Sequence, residues 1–475
     1  MKRYQAFIDG QFRDANGLRT FSVINPANEQ PIAEVADCTP DDVFDAVASA
    51  KAAQVAWDRV PAIERAVYLR KLAVLFRENV ALLAGAITEE QGKVVALAEG
   101  EVLAAANYID FTADMARHYE GEIVPSDNRD EHVFIFRRPI GVVAGILPWN
   151  YPLFLLVRKL APALLVGNTI VIKPSEETPI NTLIAAQLIQ DVGFPKGVVN
   201  VVPGGRETGR SLSAHPEVGL ITFTGSVPTG IAIMREAAAN VTKVSLELGG
   251  KAPSIVMSDA DLSLAVSAIK DSRIHNAGQV CNCLERVYVQ RPVYDEFVDR
   301  LAQAMREVKY GDPLDDTMDI GPLVSKARQI SVKAAVDKAT ADGARVVTGG
   351  GFGVHERGYY FEPTVLTDVR NDMDIIQREV FGPVLPVVPF DDFDEVMAMA
   401  NDTEYGLTSA IFTRDLKIAM QAARTLQFGE TYINRAPSEA MQAFHGGWKH
   451  SGIGGADGKH GLEEYLQKQV VYVPF

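Results

Sequence analysis

The sequence predicts an α/β fold, with parallel strands covered by helices on both faces, and three observations carry that prediction. Short β-rich runs recur from residue 141 with helical stretches between them, which is the rhythm of βαβ units. A block with helical spacing precedes them at 41–118, and a second α/β region follows at roughly 251–430. Outside this rhythm stand a hairpin-like stretch at 122–141 and a strand candidate at 465–475.

In chain order, residues 41–118 are rich in Ala, Leu, Glu and Arg, as in ERAVYLRKLAVLF, and predict two or three amphipathic helices. EIVPSDNRDEHVFIFRRPIG (122–141) reads as two strands flanking a polar turn. The first sheet is drawn from GVVAGILP (141–148), NTIVIKP (168–174), GVVNVV (197–202), GLITFTG (219–225) and TKVSLELGG (242–250). The second draws on ERVYVQ (285–290), PVLPVVPF (383–390) and SAIFTR (409–414). YLQKQVVYVPF (465–475) is a strand with no obvious local partner. Together with the hairpin it suggests an inter-subunit sheet, the competing reading being that both pack on their own subunit.

Composition narrows the function classes. Lys and Arg number 46 against 61 Asp and Glu, a formal net charge of −15. Nucleic acid and anionic membranes both demand a basic face, so neither is expected as a partner. Three cysteines are too few for a disulfide framework, and a lone Cys-x-Cys pair lacks the further ligands a zinc site needs, so no metal is expected. The opening MKRYQAFIDG has charge with no apolar stretch behind it, and the apolar region 141–157 is broken by Pro148, Asn150 and Pro152. A cytoplasmic location is the expectation.

Several residues point to chemistry. Gly204–Gly209 and Gly225–Gly230 each follow a strand run and precede a helix, where free backbone N–H groups attract phosphate. Neither is a G-x-G-x-x-G, and a glycine turn there also serves as a plain βα connection. Lys173, Ser175 and Glu176 at a third strand end favour a nucleotide crevice. In GQVCNC, Cys281 is either a small buried hydrophobe or a nucleophile. A nucleophile needs a base and an oxyanion donor, and Glu247 of LELGGKAP and Asn150 of PWNYP both end apolar runs.

The ordered set PWNYP, VIKPSE, FTGS, LELGGKAP, GQVCNC, EVFGPV and GGWKHSGIGG resembles the NAD(P)-dependent aldehyde dehydrogenase superfamily over nearly the whole chain. Glu247 stands 34 residues before Cys281, as in the family's glutamate–cysteine pair. The resemblance implies that Cys281 is the nucleophile rather than Cys283, that Asn150 is the oxyanion donor, and that Glu247 activates the deacylating water. Such a water-activating base argues against a CoA-acylating enzyme. Lys173, Ser175 and Glu176 would contact the cofactor ribose, Gly225 and Ser226 the pyrophosphate, and Trp149 would lie nearby. Glu379 and Phe381 would hold and pack the nicotinamide ribose. The cofactor expected is NAD, because Glu176 opposes a 2′-phosphate, with NADP possible.

The implied architecture is a Rossmann-type NAD-binding domain (1–121 and 141–249), an α/β catalytic domain (250–434) and a β oligomerisation arm (122–140 and 455–475) in a homo-oligomer, dimer or tetramer. The helix at 152–166 would line the aldehyde tunnel, with Arg158 where the family often carries an aromatic or apolar residue. Asn282, Glu439 and His445 would join it. That polar lining, with FGETYINR, EAMQAFHGGW and SGIGGADGKHGL, resembles bacterial enzymes acting on lactaldehyde and glycolaldehyde. The expected substrate is a short 2-hydroxyaldehyde oxidised to the acid. The alternative is a carboxylate-bearing semialdehyde such as succinate semialdehyde, clamped by Arg158. In a different class stand a non-redox thioesterase or a non-catalytic binding protein on the same fold.

Overall fold

A computed structural model describes residues 1–475 and contains four sheets. The five predicted runs of the first region become Val142–Ile146, Thr169–Lys173, Val199–Val201, Leu220–Thr224 and Lys243–Glu247. They are mutually parallel neighbours in an eight-stranded sheet. Helices cover both faces, which is why most of these strands are buried along their whole length and read as near-continuous apolar runs. Two antiparallel additions finish the sheet. Ala6–Ile8 and Gln11–Arg13 extend one edge, and Gly452–Ile453 pairs with Lys243–Glu247 at the other.

The chain runs outward from Val142–Ile146 through Thr169–Lys173 to Val199–Val201, then returns to the opposite side at Leu220–Thr224. The switch point therefore lies between Val142–Ile146 and Leu220–Thr224, and ligands of open α/β sheets bind beyond the carboxyl ends of strands at such a point. Trp149 and Asn150 follow one of these strands, and Gly225 and Ser226 follow the other.

The second region forms a seven-stranded sheet in the order Arg345–Thr348, Thr364–Thr367, Val384–Phe390, Leu284–Gln290, Ala252–Val256, Thr408–Phe412, Glu430–Ile433. All neighbours are parallel except the first pair. A third sheet joins Lys2–Tyr4, Gln30–Ala36 and Thr20–Asn25.

Two expectations need correction. The helical block contains four helices, Pro40–Asp58, Ala62–Glu78, Val80–Gln91 and Val95–Asp114, not two or three. The break between the second and third is Asn79 alone, with neither Gly nor Pro to announce it in the sequence. The terminal strand is also not an orphan. Leu466–Pro474 pairs antiparallel with Glu131–Pro139 over its full length, and Glu122–Val124 completes a three-stranded sheet within one chain. Sequence periodicity cannot show a partner lying more than 300 residues away. No helix is long and apolar enough to cross a membrane.

Candidate active site

Cys281 lies in the turn between the helix Leu262–Ile274 and the strand Leu284–Gln290. Three residues of that connection, just before Cys281, are left-handed in succession, Asn276 (φ 50°), Ala277 (φ 55°) and Gly278 (φ 75°). Conformations of this kind cost non-glycine residues roughly 1–3 kcal/mol each and persist only where the surroundings dictate them. Here the surroundings do so. Arg273 Nη2 donates to the carbonyl of Gly278, Gln279 Nε2 donates to Asn276 O at 3.0 Å, and Gln279 Oε1 accepts from Val324 N at 2.9 Å. A Cβ at position 278 would lie 2.3 Å from the carbonyl oxygen of Gly382, so only glycine fits.

All three cysteines are free. Burial pushes the Cys281 thiol above its ordinary value, and the neighbouring His445 imidazole opposes that rise. Cys283 donates to Val280 O at 3.0 Å, and burial pushes its thiol up to about 12.

Asn150 is buried and donates from Nδ2 to Gln279 O at 3.0 Å, two residues before Cys281. An amide nitrogen carries two N–H groups, so one remains for an oxyanion. The backbone of Asn150 is fixed from below, where its carbonyl accepts from Lys93 Nζ at 2.9 Å and from Asn276 Nδ2 at 3.1 Å. Lys93 forms a fully buried ion pair with Glu101. Glu101 Oε1 in turn accepts from the backbone N–H groups of Leu153 and Phe154 at 2.9 and 3.1 Å, capping the helix Pro152–Leu165.

Glu247 ends the strand Lys243–Glu247, is buried, and accepts from Thr224 Oγ1 at 3.0 Å. Burial alone would raise its pKa, but Arg158, Lys159 and His445 outweigh it and hold the carboxyl at about 2. Lys159 is itself buried, donates to Thr224 Oγ1 at 2.8 Å, and is pushed down to about 8.

The four expected substrate residues come together. Asn282 Nδ2 donates to Glu439 Oε1 at 2.6 Å, and Arg158 Nη2 donates to Glu439 Oε2 at 2.8 Å. His445 Nδ1 lies 2.9 Å from Glu430 and 3.4 Å from Glu439. Arg158 is no surface residue reaching for solvent. It is buried and also engages both oxygens of Asp457. Glu430, Glu439 and His445 bring one ligand atom each within 4.8 Å of one another, but hydrogen bonds to Tyr432, Asn282 and Arg158 already occupy the carboxylates.

On the other side of Cys281 the residues present fit a dinucleotide. Lys173 ends its strand with a buried ammonium whose partners are Pro174 O at 3.0 Å and Glu176 at 3.5 Å. Ser175 is buried beside it, while the Glu176 side chain is 54% exposed. The helix Val227–Ala238 begins with no side-chain cap and no acidic residue in its first turn, because Ser226 Oγ bonds Thr229 Oγ1 instead. That leaves free N–H groups for a pyrophosphate. By contrast, the helix Arg206–Ser213 carries Glu207 in its first turn, and Gly204 packs against Thr208, so this glycine turn reads as a βα connection. Trp149 and Phe381 meet edge to face at 5.4 Å. Glu379 accepts from Gly250 N at 2.8 Å, and a Cβ on Gly249 would lie 2.6 Å from its carboxylate.

Sequence reasoning missed Lys159, Asp457, Glu430 and the Lys93–Glu101 pair. Only the pairing of buried charges across distant elements reveals them.

A thiol on a strained turn, an amide donor beside it, a buried carboxylate and free helix N–H groups near the switch point are the parts that a thiol-dependent dehydrogenase would need. The chain belongs to the aldehyde dehydrogenase family, whose sequence model matches residues 12–471. It is 53% identical to lactaldehyde dehydrogenase of Escherichia coli K12, covering 99% of this chain and 98% of that one. It is 40% identical to the NADP(+) succinate-semialdehyde dehydrogenase of the same organism, covering 98% and 96%. The crystal structure of Escherichia coli lactaldehyde dehydrogenase superposes with a TM-score of 0.98 at 53% identity, covering 99% of each chain.

Proposed function

We propose that this aldehyde dehydrogenase oxidises short 2-hydroxyaldehydes, lactaldehyde and glycolaldehyde, to the corresponding acids with NAD. The observation that carries the reading is the Arg158–Glu439–Asn282–His445 cluster beside the Cys281 thiol. These groups largely satisfy one another, which leaves Arg158 Nη1 as the donor that a long alkyl chain would cover unpaired, at about 1–3 kcal/mol. A hydroxyl next to the aldehyde carbon accepts from that N–H group, so the cost is avoided. The likeness to lactaldehyde dehydrogenase supports the same class.

Cys281 as thiolate adds to the aldehyde carbon, and the alkoxide so formed takes a hydrogen bond from the Asn150 amide. Bound NAD supplies the hydride acceptor; Lys173, Ser175, Glu176, Gly225, Ser226, Trp149, Glu379 and Phe381 are the residues that would hold it. The thioester left on Cys281 is then hydrolysed by water whose proton goes to Glu247. Because burial lets Lys159 lose its proton at about 8, that loss removes one of the cations holding Glu247 acidic and makes it a stronger base. This makes the enzyme a hydrolytic, non-acylating dehydrogenase.

The semialdehyde reading draws support from Arg158 and from the succinate-semialdehyde relative. It is weakened by the two carboxylates already bound to that guanidinium. Comparing kcat/KM for lactaldehyde, propanal and succinate semialdehyde by NADH formation tests both. Propanal matching lactaldehyde removes the hydroxyl-reading pocket, and succinate semialdehyde winning installs the alternative.

We further infer the division into an NAD-binding domain, a catalytic domain and an arm as bounded above, a homo-oligomeric state, and a cytoplasmic location. The separate sheets and the free cysteines support these readings.

A further inference from the structure

We propose that Asp457 is the positioning residue that sets substrate class, by occupying Arg158 so that its guanidinium reads a hydroxyl instead of clamping a carboxylate. The inference rests on the placement of Arg158 on the aldehyde side, as proposed above.

An arginine has five N–H donors, and a carboxylate is bound best by two of them side by side. On Arg158 that edge is taken: Nε donates to Asp457 Oδ1 at 2.9 Å and Nη2 donates to Asp457 Oδ2. Nη2 also donates to Glu439 at 2.8 Å, which leaves Nη1 as the part of the guanidinium with no hydrogen bond to protein. Nη1 is open to a hydroxyl oxygen, whereas an incoming carboxylate finds no free pair of side-by-side N–H groups and would have to displace Asp457 or Glu439. The charges around the site point the same way. Arg158, Lys159 and His445 face the four carboxyl groups of Asp457, Glu439, Glu430 and Glu247, an acidic lining that disfavours a further anion.

The backbone shows that this arrangement is imposed. Asp457 has φ 72° and ψ 158°, a region used almost only by glycine, although Gly454, Gly455 and Gly458 show that glycine is plentiful in this segment. It also precedes the helix Gly458–Glu463 without making a side-chain capping bond, its carboxylate being turned to Arg158 instead. Removal of that carboxylate frees the fork and one negative charge together.

The test uses Asp457→Gly, which suits the backbone conformation, and Asp457→Asn, which keeps the side-chain shape. With NAD, succinate semialdehyde is expected to gain about tenfold or more in kcat/KM, mainly through a lower KM. Lactaldehyde should decline, and propanal, which has no group for the fork, should hold within about threefold. Succinate should inhibit both variants competitively against aldehyde at concentrations that leave the wild type unaffected. A purely structural ion pair would instead lower thermal stability and all three activities in parallel. That outcome in a lactaldehyde-preferring enzyme, or an unchanged KM for succinate semialdehyde, overturns the inference alone. A wild type that prefers succinate semialdehyde overturns the substrate reading and the inference with it.

Discussion

Cys283 donates to a carbonyl and is buried, whereas Cys281, two positions earlier, is half-buried with an imidazole beside it and a strained turn behind it. Cys281→Ala is therefore expected to leave less than about 1% of the oxidation rate with NAD affinity unchanged, and Cys283→Ala to leave the reaction largely intact. Steady-state rates and NAD titration by protein fluorescence check this together. Glu247→Gln separates the two halves of the reaction. Rapid mixing is expected to show one NADH per site followed by turnover reduced about 100-fold or more. No burst would mean that Glu247 also serves the first half. The pH dependence has a definite sign. Below about 8 Lys159 is charged and helps hold Glu247 at about 2, and above it this cation is gone. Deacylation should therefore rise as pH increases through about 8, and Lys159→Met should remove that inflection. Single-turnover thioester decay across pH reads it directly.

The elements explain how these side chains are held. The helix Pro152–Leu165 has no capping residue of its own, and Glu101 from the helix Val95–Asp114 caps it while Lys93 neutralises Glu101 and grips the Asn150 carbonyl. Lys93→Met leaves a buried carboxylate unpaired and is expected to destabilise the protein by about 3–5 kcal/mol. It should lower kcat more than it raises KM, because the role proposed for Asn150 is to bind the alkoxide. Combining it with Glu101→Gln should recover stability, a comparison made by urea unfolding beside kinetics. These same elements mark what the sequence could and could not disclose. Strands such as Thr169–Lys173 were legible because burial on both faces writes a solid apolar run. The motifs around Cys281, Glu247 and Asn150 were legible because turns at strand ends demand particular residues. Ala6–Ile8 and Gln11–Arg13 are too short to show a period, and Asn79 breaks a helix without a breaker residue. Asp457 was invisible because its meaning lies in Arg158, 299 residues away.

At the scale of the whole molecule, the three-stranded sheet of Leu466–Pro474, Glu131–Pro139 and Glu122–Val124 bears on the proposed homo-oligomer. Leu466–Pro474 is an edge strand, with Glu131–Pro139 on its only paired side. Long edges are templates for pairing with another chain unless they are charged, bulged or covered. This one carries Val470, Tyr472 and Val473 exposed, with Phe475 beyond it and Ile123 exposed on the opposite edge strand. Apolar side chains gathered on so small a sheet support the proposed contact with a second copy. Pairing of this sheet with a second copy would bury them and satisfy the free backbone groups at once, the geometry of a symmetric homo-oligomer. Light scattering at micromolar concentration is expected to return the mass of a dimer or tetramer. The double variant Val470→Lys with Tyr472→Lys places like charges across that contact and is expected to shift the mass towards the monomer. Its Cys281 chemistry should persist, since the Cys281 turn leads into a strand of a different sheet. A wild-type chain that runs as a monomer, or a lysine variant that assembles as the wild type does, would leave this arm packed on its own subunit alone.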